Sequence, residues 1–200
     1  RNFGDLGLQT NLKVHNHDTN KQNSFLVNDI NWRSNSIISK FGFNSNILGN
    51  IKNINYDSKN DIEFKNEPTS ELFGTLGYLT DLSLRKTNGL NKHFLTPKML
   101  LRYSPGSMRK EKSGSRLNPT TAFDLSRLNK INNFETGLTS TLGFDYKIKN
   151  NSQDFNISAA QIFNEKENKK MSSISSLDEK NSDLVGAVNA TLNKNINLSY

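Results

Sequence analysis

Cysteine is absent from the 200 residues, which excludes disulfides and thiolate metal sites and leaves the compartment open. Long apolar runs are missing too: no window approaches the ~18 uninterrupted apolar residues of a membrane-spanning helix. Apolar residues make up only 33% of the chain, low for a domain built around one large core. The same figure suits a membrane β-barrel, whose interior is polar. No initiator Met or secretory leader is seen, and the chain runs from Arg1 to Tyr200, where it stops in mid-alternation. We therefore expect a segment of a longer protein, in which missing targeting information carries little weight.

Negative charge is in the minority, 19 acidic against 26 basic residues, for a net charge of +7. Such an excess suits nucleic acid or anionic lipid. The lysines are scattered, however, and the short clusters Arg109-Lys110-Glu111-Lys112 and Lys166 to Lys170 read as solvated loop faces. Neither a helical basic stripe nor an aromatic RNA-binding motif is present, so no nucleic-acid partner is expected.

What the chain does have is alternation. Between Phe134 and Ile148, Leu138, Leu142, Phe144, Tyr146 and Ile148 share one parity with Ser140. Thr139, Thr141, Gly143, Asp145 and Lys147 share the other. A period of two gives a strand with one apolar and one polar face. The pattern recurs near 4–15, 24–34, 37–56, 71–85, 93–103, 117–125, 155–163, 184–192 and 196–200, with polar connectors between. About ten strands joined only by turns and loops make an all-β antiparallel up-and-down meander. Pro97, which has no N–H, predicts a bulge or a weakly paired neighbour.

Without helices to cover the apolar faces, lipid is the expected partner. Several runs exceed ten residues, matching the ~9–11 of a tilted membrane strand. Aromatics fall towards the run ends (Trp32, Tyr56, Tyr103, Phe144, Tyr146, Phe163), as in an interfacial girdle. Unpaired amides are costly in hydrocarbon, so such strands must belong to a closed barrel. Residues 1–200 are thus expected to form one part of a transmembrane outer-membrane β-barrel. Leu138, Leu142 and Phe144 are the candidate lipid-facing residues; Thr139, Thr141, Asp145 and Lys147 are the candidate lumen-lining ones. Counting strands back from the tight turns at 149–152 and 193–195 puts 104–117 on the periplasmic side, where a connection of that length is unusual.

No enzyme constellation emerges. His15-Asn16-His17 has a strand-like spacing for a metal, but no third ligand is placed and a polar turn is the simpler account. Asp178-Glu179 lies in a charged loop, and Gly74-x-x-Gly77 lacks the helix of a phosphate loop. We expect no catalytic residue, metal or cofactor.

Four segments carry a resemblance: His93-Phe-Leu-Thr-Pro-Lys-Met-Leu-Leu-Arg-Tyr-Ser-Pro105, Ala122-Phe-Asp-Leu-Ser-Arg127, Phe134-Glu-Thr-Gly137 leading to Leu142-Gly-Phe-Asp-Tyr146, and Asn31-Trp-Arg-Ser34. Over roughly residues 25–160 the chain resembles the LptD family of LPS-assembly proteins, also called the organic solvent tolerance family. The family's frequent Phe-Ser-Gly is replaced here by Leu128-Asn-Lys-Ile-Asn132. The resemblance implies a large barrel in the Gram-negative outer membrane, plugged by an LptE-like lipoprotein. Such a barrel receives lipopolysaccharide from periplasmic bridge proteins and releases it sideways into the outer leaflet. The family's N-terminal periplasmic domain and final strands would lie outside these residues, and no lateral-gate residue is transferred. Two alternatives stay open: another outer-membrane barrel (porin, receptor or autotransporter), or a soluble secreted β-sandwich adhesin with apolar faces turned to each other.

Overall fold

The computed structural model describes residues 3–16, 20–111, 116–128, 130–150, 153–192 and 196–200. His17, Lys112, Asn129, Asn151 and the expected turn at 193–195 lie outside the described residues. The alternating runs form β1 (Asp5–Asn16), β2 (Gln22–Arg33), β3 (Ile37–Ile38), β4 (Phe43–Lys59), β5 (Thr69–Leu82), β6 (Leu84–Asn88), β7 (Asn91–Ser104), β8 (Gly137–Lys149), β9 (Gln153–Asn164), β10 (Val185–Leu192) and β11 (Ile196–Ser199). They build one antiparallel sheet in the order β1-β2-β4-β5-β7-β8-β9-β10-β11, with β3 beside β4 and β6 beside β7. The described strands make a single sheet, so there is no second sheet of the kind a sandwich needs. The sheet is not closed, and β1 and β11 are its two edges.

Register preserves parity across the whole sheet. One row of partners runs Leu6, Trp32, Gly49, Leu76, Tyr103, Leu138. It begins near one end of β1 and finishes near the opposite end of β8. Such a stagger is what inclined strands of a barrel require. Pairing lapses between Asp81↔Lys98 and Leu84↔Leu95, the stretch that contains Pro97, and resumes without an inserted residue. Pro97 thus produces the weakly paired neighbour and not a bulge.

Residues 117–125 are not a strand. Asn118 Oδ1 accepts the Thr120 and Thr121 N–H groups, each at 2.9 Å, and Thr121–Phe123 closes into a 3₁₀ turn. A side-chain acceptor that captures nearby amides competes with ladder pairing. Residues 105–136 are therefore one connection between adjacent strands, at the end opposite the β8–β9 turn. This overturns the count that had set 104–117 beside the tight turns. By strand order, the β2–β4, β6–β7, β8–β9 and β10–β11 links fall at one end of the sheet and the β1–β2, β4–β5, β7–β8 and β9–β10 links at the other.

The two faces differ. The face of Leu138 and Leu142 is open. The opposite face is covered by the described residues of 105–136, with help from 60–68 and 165–184, and here the expectation of a polar face is corrected. Phe25, Val27, Ile54, Tyr56 and Phe73 project from this face and pack with Phe134 and Phe64 of the connections. Ala160 and Ile162 of β9 pack with Met108, Leu117, Ala122, Met171 and Leu177. Tyr56 belongs to this buried set, 6.0 Å from Phe25 between ring centroids, and not to an interfacial girdle. Phe144 sits in the middle of β8 and not at its end.

Candidate functional site

The open face is defined by what it excludes. Register assigns to it the even positions of β1, β2, β5, β6, β8 and β10 and the odd positions of β4, β7 and β9. Among the described strand residues of that parity, the ionised side chains are Asp57 and Lys59 near one end and Lys86 near the other. Between them Leu72, Leu76, Leu101, Leu138, Leu142 and Phe144 are all exposed, Leu72 to 73% and Leu142 to 47%. A contiguous apolar surface of this kind marks a meeting with another apolar phase.

The covered face holds the remaining strand charges, including Asp29, Lys52, Glu71, Lys98, Arg102, Asp145, Lys147 and Asp154. Lys52 Nζ lies 2.9 Å from Asp29, and Lys98 pairs with Asp145. The four candidate lumen residues divide into two pairs. Asp145 and Lys147 border a cavity of about 590 Å³ with Phe94, Thr96, Asn156 and Ser158. Lys147 Nζ is 3.7 Å from Asp154 there. Thr139 and Thr141 lie under the connection, Thr139 also bordering a second cavity of about 550 Å³ with Glu135, Met108 and Met171. Thr141 is fully buried, its hydroxyl donating to Ala122 O at 3.0 Å.

What holds the connection down is a buried ion cluster. Glu135 lies between two arginines: Arg127 donates to it from Nε at 2.8 Å and from its backbone N–H at 3.0 Å, and Arg102 Nη1 is 3.6 Å away. Arg127 also donates to Thr139 Oγ1 at 3.2 Å. Arg102 donates to the carbonyls of Leu125 and Glu135, which fastens the connection to β7 at two points. Burial alone would push the Glu135 carboxyl up, but the charges of Arg127 and Arg102 and the Arg127 hydrogen bonds hold it down at about 2. Farther along, Arg109 pairs with Glu71 and stacks over Tyr56 and Phe64, 5.4 and 5.0 Å from their centroids.

Two glycines clear the seat. A Cβ on Gly77 of β5 would come within 2.6 Å of Leu125 Cδ2. One on Gly143 of β8 would collide with the Ala159 carbonyl and stand 3.0 Å from Phe123 Cζ. Both glycines sit on the covered parity, where Leu125 and Phe123 of the connection come to rest.

Periodicity could not identify this cluster, although each member lies in a segment singled out above: Arg102 in His93–Pro105, Arg127 closing Ala122–Arg127, Glu135 in Phe134–Gly137. No group of three or more His, Asp or Glu side chains suited to a metal occurs among the described residues. A family model described as LptD: LPS transport system D matches residues 85–200, from β6 through the connection to β11. No curated protein matches the chain.

Proposed function

This chain belongs to the LptD family, and from that premise we propose that its sheet is a stretch of barrel wall, open face to lipid and covered face to the lumen. Membership fixes the setting: an outer-membrane protein of lipopolysaccharide transport and assembly. The observation that supports the orientation is the segregation of charge, with strand charges gathered on the covered face and the open face left apolar between its ends. In hydrocarbon a charged side chain costs about 2–4 kcal/mol at the midplane, so a lipid-facing surface sheds it.

On this reading Leu138, Leu142 and Phe144 contact acyl chains. Asp145 and Lys147 border the water-filled part of the lumen. Thr139 and Thr141 serve the lumen indirectly, by holding the connection that narrows it. The long connections 60–68, 105–136 and 165–184 face the cell exterior and the short turns face the periplasm, the usual arrangement of bacterial barrels. Residues 1–200 act as one part of the barrel. Transport here is non-enzymatic, and an LptE-like lipoprotein and periplasmic bridge proteins are the partners.

The test is Leu142→Arg in the full-length protein, read as the yield of heat-modifiable barrel in the outer membrane. A drop in assembled barrel is expected; unimpaired insertion would remove lipid from the open face. Co-purification with LptE tests the partner, and its absence would assign the barrel to another transport role.

A further inference from the structure

We propose that the open face carries, at its short-turn end, a binding site for the phosphate headgroup of an anionic phospholipid of the periplasmic leaflet. The proposal rests on the reading that this face meets lipid. The site is a recess of about 470 Å³ lined by Leu84, Arg85, Lys86, Asn88, His93, Leu95 and Tyr146.

Register builds it. Lys86 stands directly across from His93, and Leu84 is across from Leu95, which is across from Tyr146. Tyr146 belongs to the apolar row, yet its hydroxyl reaches towards the strand ends and lies 2.9 Å from His93 Nδ1. The two rings lie 6.2 Å apart between centroids, inclined at 27°. The Tyr146 hydroxyl and the His93 imidazole thus meet in a recess that Lys86 and Asn88 also line, with Leu84 and Leu95 as its apolar floor. Arg85 has the other parity and stacks over Phe94 at 5.6 Å, so its charge is directed away from the open face.

The chemistry favours an amphiphile with a negative head. The recess is lined by no carboxylate, and Lys86 is the one lysine or arginine of open-face parity at this end among the described strand residues. Aromatic and basic side chains at the border of an apolar belt are the usual anchors to headgroups. A basic residue close to an anionic membrane surface contributes about fivefold in affinity. Leu95, Pro97 and Phe144 continue the floor towards the centre of the sheet, as an acyl chain would need.

The experiment uses full-length protein inserted into nanodiscs of phosphatidylethanolamine mixed with phosphatidylglycerol. Lipid retained after transfer to detergent is counted by native mass spectrometry. Wild type should retain phosphatidylglycerol in preference to phosphatidylethanolamine, and Lys86→Gln should reduce that retention about fivefold, with His93→Gln reducing it further. Lys92→Gln removes an equal charge beside His93 on the covered face and should leave retention unchanged. Equal losses from Lys86→Gln and Lys92→Gln, or no preference in wild type, would overturn the site while leaving the lipid-facing surface intact. Failure of the wild-type protein to insert would overturn the lipid-facing surface, and the site with it.

Discussion

Strands β1 and β8 alternate in the same way but have different surroundings. Along β1 both parities are exposed, Leu8 and Leu12 on one side, Gln9 and Lys13 on the other. Along β8, Leu142 is exposed while Thr139 and Thr141 are sealed. The cause lies outside both strands. Residues 105–136 are tethered by Arg102 of β7 and seated by Gly77 and Gly143, and they cover the middle of the sheet while β1 stays bare. Alternation fixes which way a side chain points; what it meets is fixed by a segment distant in sequence.

The comparison is broken most strongly at Glu135. Glu135→Gln leaves Arg102 and Arg127 buried without their counter-charge, and should cost about 3–5 kcal/mol in urea unfolding of the full-length barrel in detergent. It should also open the exposed Arg116 region to trypsin, so that the polar face of β8 comes to resemble that of β1. Acid should act in the same direction. Glu135 sits at about 2 against an ordinary 4.5, so its contribution is complete above 4.5 and is lost as pH falls towards 2. A pH titration of wild-type unfolding should show that loss, and the Glu135→Gln titration should lack it.

Next in size are Leu142→Arg and Leu8→Arg, each expected to cost about 2–4 kcal/mol in barrel stability if placed near the membrane midplane. They sharpen the comparison because the open face is common to both strands. A silent Leu8→Arg beside a damaging Leu142→Arg would show that the lipid-facing surface ends before β1. Gly77→Ala should cost about 1–3 kcal/mol by overpacking against Leu125, with faster proteolysis within 105–136 as its signature. Smallest is Thr141→Val, which removes the hydrogen bond to Ala122 O and should cost about 0.5–1.5 kcal/mol by the same unfolding assay. Gln9→Val on β1 should change almost nothing.

Much of the sheet was legible in the chain. The alternation from Leu138 to Ile148 falls within β8, and the disturbance at Pro97 appears where its missing N–H predicts. Leu117, Thr121, Phe123 and Leu125 also alternate, but Asn118 captures the amides of 120 and 121 and turns the chain. Phe25, Val27, Ile54 and Phe73 were hidden because they sit on the otherwise polar parity, and they are buried by Phe134 and Phe64, which lie in connections and not in the strands. The ion cluster was illegible for a related reason. Its members are a strand residue and two residues of a connection, and no period links them.

Arg102 has a kinetic consequence. Its guanidinium is wholly buried in the finished fold, and its counter-charge arrives only with residue 135. While β7 alone is in place, that cation still needs water. Full burial of β7 at Arg102 therefore waits for delivery of the loop and the start of β8.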